Sequence, residues 1–331
     1  MKMKKYIFLN SVLLFILLIS YSYSQESYPS VRTFGKIYAG YKFQVTGDPG
    51  KNQFEIEKAL LGYSINIDNR FSSQIVIEMR QTPVTEGNTE RYVLLRNAQI
   101  AYKKDKLTIT FGLTDGRGHK VSYTYWGKRY LSKPFLLNYK YLNIADVGII
   151  VDYRLSPRLS FDAAVLNGEG HTRMVLDNRL LYAAGATFIP AEGMTIRLYS
   201  DIYSRGNSVK NTFAAFAGYR NDKFSIGFEG NFKADYDWTD RHNVYGFSGF
   251  AGYMITPKVE LFGRYDHVSS VILEGESIPW NIDNDGFHII SGLQYIYSKH
   301  MKLSINWQGW FPSGGSGERW DYAHLNAEFR F

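Results

Sequence analysis

Between residues 116 and 143 the sequence reads GRGHKVSYTYWGKRYLSKPFLLNYKYLN, and every charged residue in it is basic. Arg117, Lys120, Lys128, Arg129, Lys133 and Lys140 stand there with His119 and without a single acid. Such a segment attracts anions. Held inside a narrow aqueous bore, Lys and Arg focus positive potential on passing solutes, as in anion and phosphate pores. Waving above a membrane, the same charges would only meet lipopolysaccharide phosphates. Tyr123, Tyr125, Trp126, Tyr130, Tyr139 and Tyr141 are interleaved with them and offer apolar bodies for packing against a wall.

Other chemistry is thinly represented. The chain has no Cys, which excludes a thiol nucleophile, a Cys-ligated metal and a disulfide scaffold. Asn281, Asp283 and Asp285 match the opening of a calcium loop, but the twelfth position is Gly292 where a bidentate Glu is required, so a polar turn is expected. Asp235, Asp237 and Asp240 read as a polar loop. His171, His242 and His267 lie near loops, where a barrel-rim hydrolase would hold its histidine. No nucleophile elbow, metal-binding His pair or phosphate-cradling Gly loop accompanies them. An enzyme is therefore not expected, and no cofactor or metal is implied.

The elements that would position the basic segment follow from periodicity. Residues 1–24 carry Lys2, Lys4 and Lys5, an apolar run from Ile7 to Ile19, then Ser22 and Ser24, which is the layout of a secretory signal peptide. Its removal takes away three lysines and lowers the net charge from +7 to +4, so nucleic-acid binding is unsupported. Downstream there is no apolar run near the ~20 residues of a membrane helix. Yet Tyr numbers 26, Phe 22 and Trp 6, against only 9 Pro, a bias that suits the aromatic girdles of a transmembrane barrel.

Alternation points the same way. Near the C-terminus Tyr322, His324, Asn326, Glu328 and Arg330 share one face, while Ala323, Leu325, Ala327, Phe329 and Phe331 share the other. Strands are predicted at 32–45, 53–67, 70–80, 91–103, 106–115, 144–155, 158–167, 178–189, 194–205, 211–221, 223–234, 243–255, 258–268, 286–298, 301–311 and 321–331. Strand 53–67 carries Phe54 and Ile56 against Glu55 and Glu57, which suggests a bulge or a wet rim. Connectors alternate between turns of one to four residues and loops of five to 28, the longest being 116–143. An all-β, antiparallel transmembrane barrel of about 16 strands follows, one domain over 25–331, with a long third extracellular loop.

On this register Arg32, Lys36, Lys42, Arg154, Arg158, Arg197, Arg205, Lys223, Lys233, Arg264 and Arg330 face the lumen. Glu78, Asp146, Asp152, Asp162, Asp201, Glu229, Glu260, Asp266 and Glu328 share those faces, so many should pair crosswise. Leu198 should face lipid and its neighbour Arg197 the bore.

Two segments carry a family resemblance. The final HLNAEFRF, with Phe329 and the terminal Phe331, resembles the signal by which outer-membrane barrels are handed to their assembly machinery. ADVGIIVDYRLSPRLSFDAAVLNGEG at 145–170 resembles the phosphate-selective porin O and P family: an Asp-x-Gly strand, a tight turn, then a strand ending in Asn167-Gly168-x-Gly170. Trimeric general porins also fold a long third outer loop into the channel. The resemblance implies a homotrimer in the bacterial outer membrane, in contact with lipid and lipopolysaccharide, passing small hydrophilic or anionic solutes. Its constriction would be built by 116–143, with Tyr123 and Tyr125 beside the six cations. A non-conducting adhesin or structural barrel is the alternative, and a barrel-rim enzyme a more distant one.

Overall fold

The computed structural model describes residues 29–46, 52–85, 88–173, 178–206, 208–271, 273, 275, 285–314 and 317–331. The signal-peptide segment 1–24, and Asn281 and Asp283 of the calcium-loop-like motif, lie outside the described residues.

Sixteen strands are present among the described residues, and every expected strand has a counterpart. They are β1 Ser30–Gln44, β2 Gln53–Asn66, β3 Phe71–Thr85, β4 Asn88–Lys104, β5 Leu107–Asp115, β6 Ala145–Ser156, β7 Leu159–Leu166 and β8 Leu181–Phe188. Then come β9 Met194–Arg205, β10 Ser208–Arg220, β11 Phe224–Ala234, β12 Val244–Thr256, β13 Val259–Ser270, β14 Gly286–Ser298, β15 Met301–Pro312 and β16 Trp320–Arg330. Each pairs antiparallel with its sequence neighbours, and β1 pairs with β16, so the sheet closes without an edge. Closure is what a bilayer demands, since no water there can satisfy a free strand edge.

The seam is finished by the last residue. Phe331 N–H donates to Gly35 O at 3.2 Å and Gly35 N–H to Phe331 O at 3.0 Å. The Phe331 ring lies over Gly35, where a Cβ would meet the far edge of the ring at 2.2 Å.

Alternation sorts the two faces as expected. Leu198 is 57% exposed on the outer wall, while Arg197 is 5% exposed and points into the bore. Outward aromatics gather in bands at the two ends of the strands. Phe247, Tyr265, Phe287 and Phe311 line up across β12–β15 at 5.9, 5.8 and 4.7 Å between ring centroids. Phe224 with Tyr253, and Phe71 with Tyr102, stand near the short turns. Rings at that depth meet the membrane interface.

Two outer connectors are shorter than the sequence suggests. A ten-residue loop is expected at 81–90, but β3 continues to Thr85 and β4 starts at Asn88. Five residues are expected at 206–210, but β9 and β10 are separated by residues 206–207 alone. Above the membrane both faces of a hairpin are wet, so the alternation that marks a strand fades while the pairing persists.

Of six register shifts among the described residues, four lie near strand ends and two lie within the wall, one of these in the strand whose mixed pattern hinted at it. In β2 the register slips opposite Tyr38 and Ala39, which pair with Lys58 and Ile56, so Glu57 and Lys58 both turn inward. In β4 the slip lies opposite Val76 and Ile77, which pair with Asn97 and Leu95, so Arg96 and Asn97 both turn inward. Each bulge keeps the flanking apolar residues outside while adding a second polar group to the bore.

Candidate functional site in the barrel bore

The segment 116–143 enters the bore, and its local structure explains how. Helix α1 (Lys120–Trp126) stops at Gly127, whose φ of 60° sets the left-handed cap and whose N–H donates to Tyr123 O at 3.1 Å. A tight turn over 128–131 follows, and Pro134 opens the short helix α2 (Phe135–Asn138). Lys140 adopts φ 59° and reverses the chain back toward β6.

Aromatic residues dock this segment on the inner wall. Trp126 is 2% exposed and meets Phe250 of β12 and Phe262 of β13 edge-on at 5.5 and 6.3 Å. Tyr130 donates to Gln294 Oε1 at 2.9 Å, Tyr139 to Asp266 Oδ2 at 3.1 Å, and Tyr125 bonds Thr195 Oγ1 at 2.9 Å. Phe135 is fully buried against Val244 and Val268. Tyr123 reaches Tyr38 of β1 and packs edge-on against His119 at 6.4 Å.

The six loop cations divide into two groups. Lys128 Nζ pairs with Glu260 at 2.6 Å, Arg129 Nη1 with Glu57 at 2.7 Å, and Arg117 Nη2 with Asp152 at 2.8 Å. These three clamp the loop to the wall. Lys120, Lys133 and Lys140 are exposed and have no carboxylate partner within ion-pair distance among the described residues.

Wall cations also hold the loop. Arg264 chelates Asp266 at 2.6 and 2.8 Å and donates to Lys133 O at 2.7 Å. Arg220 donates to Thr124 O at 2.9 Å and to Tyr125 O, and Lys233 donates to Tyr141 O. Arg197 is bidentate to Asp162 at 2.7 and 3.0 Å. Arg154 faces the bore as an exposed residue near the short-turn mouth, and Lys36 lies half-buried on β1.

Opposite the loop, the doubled inward residues of the two bulges converge. Glu78 of β3 receives Lys58 at 2.7 Å, Arg80 at 2.6 Å and Arg96 at 3.1 Å. Arg96 extends to Asp115 at 2.6 Å, which also accepts from Asn97 at 3.0 Å. Three cations on one carboxylate leave local positive charge. Lys58 and Arg96 escaped the expected lumen set because a strict period of two does not place both of a bulge's residues inside.

A cavity of about 1000 Å³ separates this wall from the loop, lined among others by Lys58, Glu78, Arg80, Arg129, Lys133 and His171. Its lining holds eight Lys and Arg against five Asp and Glu, so its net sign is positive. His171 belongs to the connector after β7. Burial, then Arg80 and Arg96 nearby, lower its pKa to about 4, so it is neutral at pH 7.

His119 sits at the root of the loop, 4% exposed. Burial lowers its pKa to about 4, helped by Arg96 of β4, Arg197 of β9 and Lys120 of α1, and opposed by Asp115 of β5. A depressed histidine favours the docked loop only while neutral. Docking is therefore full above the ordinary histidine value near 6.5 and weakens as pH falls from there to about 4. We expect loop-dependent current fluctuations to grow over that window, and His119→Phe to flatten the pH response. An unchanged response in the variant would assign the fluctuations to another group.

The remaining candidates do not assemble into a second site. His267 meets Ser269 Oγ at 3.0 Å on the outer face of β13, but the nearby Asp285 carboxylate is bonded to Ser270 at 2.6 and 2.8 Å and joins no relay. Asp285 thereby ties the ends of β13 and β14, the polar-turn role expected of it. His242 is fully buried beside Tyr236. Among the described residues no cluster of His, Asp or Glu could hold a metal ion. Phe329 and Phe331 are 44% and 55% exposed on the outer wall.

The bore, the inward loop and the closed sheet define a barrel of the porin type. No protein-family model matches the sequence, and no curated protein does either. Solved structures match over almost the whole chain. Salmonella typhi OmpF, in a complex with daunomycin, is 16% identical with a TM-score of 0.67, covering 92% of this chain and 98% of its own. The outer membrane channel DcaP of Acinetobacter baumannii is 13% identical with a TM-score of 0.67, covering 94% and 99%. An anion-selective porin from Comamonas acidovorans is 10% identical with a TM-score of 0.67, covering 92% and 100%. At these identities the likeness establishes the fold.

Proposed function

We propose that this protein is an outer-membrane diffusion channel for small hydrophilic solutes, with a preference for anions. The observation that carries the reading is the positively lined cavity between the docked loop and the β2–β4 wall. A water-filled space bounded by low-dielectric protein concentrates that potential where a solute must pass. The likeness to a channel and to an anion-selective porin supports it. Phosphate as a favoured anion, and a homotrimeric assembly inserted by the barrel machinery beside lipopolysaccharide, rest on the resemblance of 145–170 and of the C-terminal segment.

Reconstitution of the purified full chain into a planar bilayer tests the proposal. Stable conductance steps are expected, with a reversal potential in a KCl gradient of the sign that favours chloride. Silence at high protein concentration would favour a non-conducting barrel, and a potassium-favouring potential would remove the anion preference.

A further inference from the structure

On the long-loop side of the bore lies a second cavity of about 430 Å³, within the ~300–1,000 Å³ range of small-molecule sites. Its construction differs from that of the larger, cation-lined cavity, because it carries an aromatic corner. Trp238 and Tyr203 form an aromatic corner, ring centroids 5.0 Å apart. Lys210 Nζ stands 3.8 Å from the Trp238 ring centroid, and Arg205 Cζ 5.7 Å from it. Lys233 and the buried carboxylate of Asp201 line it as well, and Lys210 and Lys233 stand where it adjoins the larger cavity.

The turn that presents Trp238 is costly to form. Asp235, Asp237, Trp238 and Arg241 all adopt positive φ, between 48° and 67°, and none is glycine. Such strain persists only where the surroundings hold it, and binding sites are where it collects. Ring contact and the two cations hold Trp238 over the cavity.

We propose that this cavity is a subsite for an anionic carbohydrate, a monosaccharide bearing a phosphate or carboxylate group. It rests on the channel reading and names the class of solute that pauses in the bore. Each part of such a ligand has a counterpart. The apolar C–H face of the sugar ring lies on the aromatic corner. The anionic substituent meets Lys210, Arg205 and Lys233. Hydroxyl groups donate to the Asp201 carboxylate, which accepts from Tyr199 OH at 3.0 Å, has Thr212 beside it, and with two oxygens keeps lone-pair capacity for a further donor. A bare inorganic anion would use neither rings nor carboxylate and would be repelled by Asp201. An aromatic acid would give Asp201 nothing to accept.

Calorimetric titration of the detergent-solubilised full chain with glucose 6-phosphate, glucose and inorganic phosphate tests the subsite independently of conduction. Glucose 6-phosphate should bind at least tenfold more tightly than either of the others. Trp238→Ala and Lys210→Ala should each lose at least tenfold, and Trp238→Phe should retain most of the affinity. Heat-modifiable gel mobility confirms that each variant is a folded barrel. Equal affinity for all three ligands, tighter binding of benzoate, or an unaltered Trp238→Ala protein would overturn the assignment. A conducting wild-type channel without glucose 6-phosphate binding sinks the subsite and leaves the channel. Binding by a protein that never conducts does the reverse.

Discussion

Replacing residues 119–142 with a short Gly/Ser link should raise single-channel conductance several-fold. The deletion leaves the barrel closed, because Asp115 pairs with Ala145 and Gly116 N–H donates to Ile144 O at 3.1 Å, so the cut ends already meet. What is lost is a body of side chains inside the bore, docked from β9 round to β2 through Tyr125, Trp126, Lys128, Tyr130 and Arg129. A sixteen-stranded barrel without such a plug encloses an aqueous channel. The deletion also removes five cations and frees Glu57 and Glu260, so chloride preference should weaken as conductance rises. Unchanged conductance would mean that the segment lifts out of the bore in the membrane.

The second large effect concerns sign. Arg80, Lys133 and Lys140 line the passage with their charges in or near water, and replacing all three by Glu should carry the KCl reversal potential across zero toward potassium. Salt screens the field of an exposed charge over ~8 Å at physiological ionic strength, so reversing Lys103 and Lys104, exposed at the short β4–β5 turn, should leave selectivity in place. Lys128→Glu makes an instructive contrast. It would set two carboxylates where a 2.6 Å ion pair now clamps the loop, and the expected outcome is a noisier channel rather than a reversed one. Retained chloride preference in the triple variant would place the selecting charges elsewhere on the wall.

How much of this was legible in advance depends on the range of the interactions. A period of two is local, so the sixteen strands, their inward and outward faces and the Leu198/Arg197 orientation could be read along the chain. The docking aromatics of 116–143 could be read as well, since apolar rings in a polar loop must cover something. The mixed pattern of 53–67 hinted at the bulge at Glu57, but the one at Arg96 could not be located, because a bulge is a property of a strand and its partner together. Their consequence, the gathering of Lys58, Arg80 and Arg96 on Glu78, was therefore hidden.

Charge was the least legible. Six basic residues in a row of 28 look alike by type, yet Lys128 is matched by Glu260 132 residues away and Arg129 by Glu57 72 residues away, while Lys133 and Lys140 stay exposed. The chain by itself determined a membrane barrel, because side-chain alternation and strand length answer to the bilayer one strand at a time. Only the tertiary structure decided which cations clamp the loop and which stand exposed in the bore. An ion pair forms between whichever opposite charges barrel closure brings within a few ångströms, and that distance has no counterpart in sequence spacing.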